Sequence, residues 1–177
     1  IVNSANPVSM AFADEEDYGV DAVLWVGSVG QTGLYALGDV LSGAVNPSGS
    51  LPDTWWKDNQ LDPVQNNFGV YTYAGQENYT YPANANSYNH YVVYQEGVYL
   101  GYKYTETRYE DVVLGTPNAG NFQYNNVVAY PFGYGLSYTN FAFSDMQVQK
   151  VGEGLKTEYQ LTVTVTNTGD KAGKKAV

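Results

Sequence analysis

The sequence predicts an α/β region followed by the first strands of an all-β sandwich, and three patterns carry that prediction. A short apolar run, Ala22 to Val26, is typical of a strand that is buried on both faces of a parallel sheet. Leucine and valine side chains then recur at helical spacing, and apolar residues alternate strictly from residue 139 onward. We therefore expect a partial α/β-sandwich domain, then part of an all-β domain.

The α/β region is predicted to run strand, turn, helix, turn and strand. Gly27 to Gly30 makes a tight turn. The helix is marked by Thr32 as its N-cap and by Gly43 after its last turn. Between them lie apolar residues at helical spacing: Leu34, Leu37, Val40 and Leu41. Leu51 to Trp56 predicts the next strand, which completes half of a doubly wound unit. Since one crossover cannot cover both faces of a sheet, the other strands are expected upstream of Ile1.

Residues 59–128 are rich in Tyr and Asn and have weak periodicity, so we expect a long ordered loop region there. Tyr91 to Tyr104 is aromatic and β-branched, which predicts extended or partly helical backbone. Val127 to Tyr130 predicts a short strand. Trp55 and Trp56 are adjacent and face opposite ways on a strand, so we expect one in the core and the other at a domain interface.

The final segment predicts a β-hairpin of a sandwich. Apolar residues alternate before and after a turn at Gly152 to Gly154, and a third strand is expected to begin near Val177. We therefore divide the chain into residues 1–138, an α/β domain, and residues 139–177, the start of the all-β domain. Both ends are expected to cut through domains, as in a piece of a larger multidomain protein.

Composition excludes several classes of function. The net charge is −10 with eight Lys and Arg residues, which argues against nucleic-acid binding and against an anionic membrane surface. No apolar run is long enough to cross a bilayer. With no Cys and a single His, His90, we expect no disulfide, no metal and no cofactor. A bacterial cytoplasmic protein and a cysteine-free secreted one both fit, so localisation stays open.

Six blocks of the sequence, in order, resemble glycoside hydrolase family 3. Five are similar to its second domain, and the last is similar to the start of the fibronectin-type-III domain that follows. Any one block is weak, whereas six in the family's order are specific. They are Ser4–Val8 (SANPV), Val20–Gln31 (VDAVLWVGSVGQ), Ala36–Pro52 (ALGDVLSGAVNPSGSLP), Tyr94–Tyr104 (YQEGVYLGYKY), Tyr130–Thr139 (YPFGYGLSYT) and Val163–Gly173 (VTVTNTGDKAG).

The resemblance implies a retaining β-glycosidase, most similar to β-glucosidases, that acts on terminal β-linked sugars. Such an enzyme needs a nucleophilic Asp and a carboxylic acid that protonates the leaving oxygen. In the family, an N-terminal barrel carries the nucleophile, and a loop of the second domain carries the acid. Both are expected upstream of Ile1, so we predict no catalytic residue within this chain. The barrel is expected in the same parent chain or in a separate partner chain.

The carboxylates in this chain are poor substitutes for that acid. Asp14 to Asp17 is a run of adjacent charges that is predicted to be solvated. Glu77 lies in the Tyr-rich region, where it could approach a barrel in the complete enzyme. Glu96 is expected to form a structural ion pair with Lys103 or Arg108. We therefore expect this chain alone to be inactive.

The best candidate for contact with the sugar is the loop from Gly27 to Gly33. It follows the predicted parallel strand at its carboxyl end, where α/β sheets place ligands. Gly30 lets a ligand approach the backbone closely, and Gln31 can hydrogen-bond a sugar hydroxyl. We name Gly30 and Gln31 as substrate-proximal, while a purely geometric strand-to-helix turn remains the alternative. The whole chain could also be a non-catalytic, Tyr-rich carbohydrate-binding or structural module.

Overall fold

The computed structural model describes residues 1–69, 71–72, 74–75 and 90–177. They form two compact units: Ile1–Ser28 with Leu51–Phe132, and Val29–Ser50 with Gly133–Val177. Glu77 lies outside the described residues, as does the side chain of His90.

The first unit begins with one parallel contact. Val2 pairs with Trp25 in a parallel bridge. The Val2 amide donates to the Leu24 carbonyl at 2.8 Å, and the Val26 amide donates to the Val2 carbonyl at 3.0 Å. This contact is parallel, as predicted, but it is an isolated bridge, so the prediction of a strand over Ala22 to Val26 was wrong. The side chains of residues 23–26 are only half-buried, whereas burial on both faces was expected.

The core of the first unit is built around β1 (Trp55–Trp56). β1 pairs antiparallel with β4 (Val128–Tyr130). The prediction of a strand over Leu51–Trp56 in a parallel sheet was wrong, because the strand has two residues and an antiparallel partner. Both indoles are buried, Trp55 at 2% and Trp56 at 3% exposure, so the prediction of one interface tryptophan was also wrong.

Aromatic contacts explain why both tryptophans are buried. The Trp25 and Trp55 rings meet edge to face at 5.3 Å between centroids, a favourable arrangement for aromatic pairs. Trp56 stacks on Tyr104 at 6.4 Å, and Tyr104 in turn meets Phe122 edge to face. Large aromatic rings thus do the packing that aliphatic side chains do in most cores.

The predicted loop region, residues 59–128, contains more regular structure than expected. Five α-helices and β-strands lie among its described residues: α2 (Pro63–Asn67), the antiparallel pair β2 (Tyr71–Thr72) and β3 (His90–Tyr91), α3 (Tyr102–Leu114) and α4 (Tyr124–Val127). α3 ends at Gly115, which is left-handed at φ +64°, as is typical of the residue after a helix. α4 leads directly into β4, which confirms the short strand predicted near Tyr130.

The second unit contains α1 (Gly33–Leu41), as predicted. Thr32 is at the N-cap position, although its side chain makes no capping hydrogen bond. Gly43 lies two residues beyond the helix with φ +77°, which confirms the predicted stop signal. Asn46 then fixes the following segment, because its side chain donates to the Ala172 carbonyl and accepts from the Tyr138 amide.

The second unit also contains the predicted hairpin. β5 (Phe141–Val151) and β6 (Glu158–Asn167) pair antiparallel from Phe141 opposite Asn167 to Val151 opposite Glu158. The register shifts between Ser144 and Gln147, where Asp145 has a φ of +52°, as at a β-bulge. Residues 168–177 form no strand, so the third strand expected near Val177 is not seen. The hairpin alone does not establish a fibronectin-III-like sandwich.

Candidate functional site

The loop that carries Gly30 and Gln31 is a turn with both residues exposed to solvent. Gly30 has a φ of +65°, a conformation that favours glycine. The Gly33 amide donates to the Val29 carbonyl at 3.2 Å, which closes the turn before α1. A Cβ on Gly33 would lie 2.7 Å from the Val29 Cβ, so that glycine has a packing reason of its own. The sugar contacts proposed for Gly30 and Gln31 remain a prediction.

The acidic run from Asp14 to Asp17 is exposed, as predicted. It lies in two short 3₁₀ turns, Ala11–Asp14 and Glu16–Tyr18. Asp14 Oδ2 lies 2.8 Å from Lys57 Nζ. Because both groups are partly exposed, water and salt weaken this ion pair. The run therefore behaves as a solvated surface with one structural contact.

Glu96 makes a different contact from the one predicted. Its Oε2 accepts a hydrogen bond from the Asn67 side chain at 2.8 Å. Arg108 donates instead to the carbonyls of Asn118 and Ala119 and lies over the Phe122 ring. The predicted ion pair of Glu96 was therefore wrong, because backbone carbonyls and an aromatic ring occupy Arg108.

A polar pocket of about 280 Å³ lies within the first unit. We call it the Asp62 pocket. Its polar side chains come from the segment near the N-terminus, from the residues on both sides of β1, and from α2: Asn6, Asp53, Thr54, Asn59, Asp62 and Gln65. The buried ring of Trp56 forms one wall, and Gly101, the N-cap of α3, contributes backbone without a side chain.

Two oxygen atoms at this pocket are buried and have no hydrogen-bond partner among the described residues, Thr54 Oγ1 and Asn59 Oδ1. Thr54 as a whole is 3% exposed. The Asn59 side-chain nitrogen is satisfied, because it donates to the Pro7 carbonyl at 3.4 Å. A buried polar atom without a partner costs about 1–3 kcal/mol, so these two oxygens lower the stability of the first unit.

Asp62 has both a structural role and an unfavourable environment. Its Oδ1 accepts from the Val64 amide at 3.0 Å, which caps α2 with Pro63 in the first turn. Burial raises the pKa of its carboxyl above the ordinary value, the Val64 hydrogen bond lowers the pKa, and the negative charge of Glu96 raises it further. The charged form of Asp62 is thus held at a cost in the folded protein.

Capping residues in the sequence are a signal for the turns that carry Asn59 and Asp62. Asp62 followed by Pro63 is the pattern of an N-cap and a first helical residue, and Asp58 caps the preceding 3₁₀ turn, Asn59–Leu61, by accepting from the Gln60 amide. Two capped turns in succession fix where Asn59 and Asp62 point. The unpartnered hydroxyl of Thr54 has no counterpart in a sequence pattern, because it depends on tertiary packing.

Among the described residues, no group of three or more His, Asp or Glu side chains is placed to hold a metal ion. In the same part of the chain, no helix combines the length and the apolar character that a membrane span requires.

Comparison with known protein families confirms the resemblance noted in the sequence. The model of the glycosyl hydrolase family 3 C-terminal domain matches residues 1–102. The chain belongs to glycoside hydrolase family 3. The matched region contains α1, β1, α2 and the whole Asp62 pocket, together with Gly30 and Gln31.

Curated relatives extend the similarity beyond residue 102. A β-glucosidase of Ruminococcus albus is 33% identical over 180 residues, covering 100% of this chain and 14% of the relative. An exo-α-(1→6)-L-arabinopyranosidase of Bifidobacterium longum is 36% identical over 142 residues, covering 80% of this chain and 14% of the relative. The chain thus spans about one-seventh of the length of these family 3 proteins.

Solved structures of family 3 proteins share this fold. A β-glucosidase of Paenibacillus barengoltzii matches with a TM-score of 0.67 and 32% identity, over 94% of this chain and 15% of that one. A family 3 β-glucosidase of Bifidobacterium adolescentis matches with a TM-score of 0.51 and 35% identity, over 79% of this chain and 15% of that one. These matches support the mixed α and β architecture described above.

Proposed function

We propose that these 177 residues are part of a longer retaining β-glycosidase that releases terminal β-linked sugars, with β-glucosides as the preferred class. The observation that carries the proposal is the match to the family 3 C-terminal domain over residues 1–102. The 33% identity to the Ruminococcus albus β-glucosidase over the full chain favours a β-glucoside. The Bifidobacterium longum relative makes an arabinopyranoside the second candidate.

In this proposal the chain contributes no catalytic carboxylate. A retaining enzyme brings two carboxyl groups to about 5 Å from each other on either side of the scissile bond. Three carboxylates of the described residues have structural partners: Asp62 caps α2, Glu96 accepts a hydrogen bond from Asn67, and Asp14 pairs with Lys57. As the family resemblance implies, the proposal assigns the nucleophile and the acid to the rest of the parent or to a partner chain.

The role that remains for this piece is to provide scaffold and part of the wall of the sugar site. Gly30 and Gln31 are the proposed wall residues, because both are exposed on a turn at the end of the segment that pairs with Val2. Residues 139–177 are proposed to begin a fibronectin-III-like domain, which the hairpin β5–β6 supports in its strand order and antiparallel register.

Hydrolysis by the complete parent protein tests this proposal. We expect an aryl β-D-glucoside to be cleaved with retention of the anomeric configuration, and faster than an aryl α-L-arabinopyranoside. A Gln31→Ala variant is expected to raise KM with little change in kcat, since a wall contact contributes to binding in both ground and transition states. Thr157→Ala in the second unit is a control outside the turn. Cleavage of neither aryl glycoside contradicts the proposal.

A further inference from the structure

The second unit contains a small open pocket whose lining is positively charged. Its volume is about 200 Å³, and we call it the Lys175 pocket. It is lined by the segment after α1, the turn before β5, the first residues of β5 and two adjacent lysines, Lys174 and Lys175. No Asp or Glu belongs to this lining, although the whole chain has a net charge of −10. The pocket thus concentrates positive charge in an acidic chain.

The backbone that leads to the two lysines is anchored to the second unit. The Asn46 side chain donates to the Ala172 carbonyl at 2.9 Å. Gly173 follows in close contact with Thr139, because a Cβ on this glycine would lie 2.9 Å from the threonine methyl group. These contacts fix the chain immediately before Lys174. The lysines therefore approach the pocket from a held segment, even though no strand forms there.

The charges of the two lysines are not neutralised by the described residues. Neither Lys174 nor Lys175 forms an ion pair with them. Lys174 is exposed and Lys175 is half-buried. Two like charges on adjacent residues repel each other, whereas an anion beside both is attracted by each. The arrangement therefore favours an anionic ligand.

Hydroxyl groups add hydrogen-bond donors to the same lining. Ser48 and Ser50 are half-buried, and their hydroxyls make no hydrogen bond to the described residues. Neither hydroxyl oxygen is among the unpartnered atoms that are closed off from solvent, so both remain open to a ligand. Ser137, in contrast, already donates to the Thr139 carbonyl at 3.0 Å. An ionised oxyanion only accepts hydrogen bonds, and it therefore matches hydroxyl and ammonium donors.

The size and walls of the pocket favour a small ion. A volume of about 200 Å³ is below the lower end of small-molecule sites, about 300 Å³. Apolar side chains complete the lining: Leu136, Phe141 and Phe143. Apolar walls beside charges of one sign focus the electric field in a cleft. A neutral sugar would gain nothing from this field, whereas an oxyanion would.

We propose that the Lys175 pocket binds a small oxyanion of the phosphate or carboxylate class, held by the ammonium groups of Lys174 and Lys175 and by the hydroxyls of Ser48 and Ser50. The oxyanion comes either from solution or from a carboxylate side chain elsewhere in the parent, and the same donors serve both. This inference goes beyond the proposed hydrolysis, because it involves a charged ligand and none of the groups assigned to the sugar.

Binding of inorganic phosphate to matched lysine variants tests the inference. Lys175→Met removes one charge from the pocket and keeps a long side chain. Lys156→Met is the control, because it removes the same charge from the exposed 3₁₀ turn between β5 and β6, outside the pocket lining. Ser50→Ala removes one hydroxyl at constant net charge. Calorimetry and phosphorus NMR of the 177-residue chain measure the affinity, with KCl keeping the ionic strength constant.

We expect the wild-type chain and Lys156→Met to bind phosphate with a Kd of about 1 mM, a modest affinity that suits so few ligand atoms. Lys175→Met should weaken this binding about tenfold and Ser50→Ala about threefold, because a charge-assisted hydrogen bond is roughly twice as strong as a neutral one. Added KCl should weaken phosphate binding more in the wild-type chain than in Lys175→Met, since salt screens the charge that this variant lacks.

The longer parent distinguishes the two sources of the oxyanion. If it comes from solution, the parent binds phosphate with the same dependence on Lys175. If a carboxylate of the parent occupies the pocket, the parent binds no phosphate there, and Lys175→Met lowers its melting temperature more than Lys156→Met does. Either result supports an oxyanion site.

Three results overturn the inference. The first is phosphate binding that Lys175→Met and Lys156→Met weaken equally, because it would reflect general attraction to surface charge. The second is no phosphate binding by a 177-residue chain that circular dichroism shows to be folded. The third, which decides where that chain does not stay folded, is a parent that binds no phosphate and melts equally in both lysine variants.

A rise in melting temperature that phosphate gives equally to every variant is the general effect of an excluded salt, and it counts against a specific site. Hydrolysis of an aryl glycoside enters none of these measurements, so this inference and the proposed function fail separately.

Discussion

The segment around β1 and the hairpin β5–β6 differ in how much their large apolar side chains are exposed to solvent. Trp55 and Trp56 in the two-residue β1 are almost completely buried, whereas the long hairpin exposes large apolar side chains along most of its length: Phe143, Met146, Val148, Leu155, Tyr159 and Leu161. The better-formed secondary structure thus has the poorer core. In this chain, backbone pairing and side-chain burial are separate sources of stability.

The difference has a physical reason. A two-stranded hairpin satisfies its backbone hydrogen bonds internally, but it needs a further layer to bury its apolar face. β1 has only two residues, yet Trp25 and Tyr104 pack against its indoles, and the Met10 amide donates to the Trp56 carbonyl at 3.0 Å. Each indole buries a large apolar area. We therefore expect substitutions in β1 to cost much more stability than substitutions in the hairpin.

The largest effect is expected for Trp55→Ala. Removal of a buried indole that packs edge to face on Trp25 should lower the free energy of unfolding by about 3–5 kcal/mol. Leu155→Ala, in the exposed 3₁₀ turn of the hairpin, should change it by less than about 0.5 kcal/mol. Urea denaturation followed by tryptophan fluorescence and circular dichroism measures both. A similar cost for the two variants would remove the contrast between the regions.

Smaller effects of opposite sign are expected for Thr54 and Thr139, two of the buried threonines among the described residues. Thr139→Val should lower the free energy of unfolding by about 1 kcal/mol, because it breaks a satisfied hydrogen bond to Asn167. Thr54→Val should leave the free energy unchanged or raise it, because it removes an unsatisfied buried hydroxyl. Urea titrations in sugar-free buffer give both values. Destabilisation by Thr54→Val equal to that by Thr139→Val would show that Thr54 has a partner.

The pH dependence of stability sharpens the same contrast at Asp62. The pKa of the Asp62 carboxyl is raised in the folded protein above its ordinary value of 3.8. The protonated carboxyl therefore contributes stability to the folded state below pH 3.8, and this contribution is lost as the pH rises through the folded pKa. Asparagine at this position still caps α2 but does not ionise. The stability of Asp62→Asn relative to the wild-type protein should therefore increase from about pH 3 to about pH 7.

Thermal melts across that range measure the trend for Asp62→Asn. Asp17→Asn, an exposed substitution in the acidic run, controls for the loss of one negative charge. A relative stability of Asp62→Asn that decreases with rising pH would contradict the unfavourable environment inferred for the carboxylate.

The smallest effect is expected on the hairpin itself. Leu161 faces Val148 across the two strands and is 63% exposed. Leu161→Thr introduces a β-branched side chain that suits a strand, and it should change the stability of the 177-residue chain by less than about 0.5 kcal/mol. If the proposed fibronectin-III-like domain covers this face in the parent, the same substitution there should cost about 2–5 kcal/mol. Equal small effects in both proteins would argue against that domain.

Sequence patterns predicted the elements that depend on local chemistry. Thr32 and Gly43 predicted the two ends of α1, because helix-end signals depend on neighbouring residues. The alternation around Val163 predicted the hairpin, because strand periodicity also depends on neighbouring residues. α3 was missed because its Tyr- and Thr-rich sequence has a weak helical preference and is stabilised by contacts such as Tyr104 on Trp56. The antiparallel partner of β1 lies more than seventy positions away, and no local pattern encodes such a pairing.

The candidate functional residues also differ in whether a local sequence pattern could reveal them. The glycine turn after the predicted parallel strand pointed to Gly30 and Gln31, and the structure adds that both are exposed. The Asp62 pocket depends instead on atoms that only tertiary structure brings together, since Asn6 and Gln65 are far apart in the chain and line the same cavity. Its unpartnered hydroxyl at Thr54 is a property of burial, which sequence periodicity does not report.

The most direct test of the account measures intact mass under denaturing conditions and hydrolysis of an aryl β-glucoside on the same sample. We predict that a sample with the single mass of this chain, 19.4 kDa, shows no turnover, and that the longer parent hydrolyses the glucoside. Turnover by a sample with only the 19.4 kDa mass would contradict the account, because a catalytic pair of carboxylates would then lie within these residues. Glu96 and Glu77 would then be the first residues to replace.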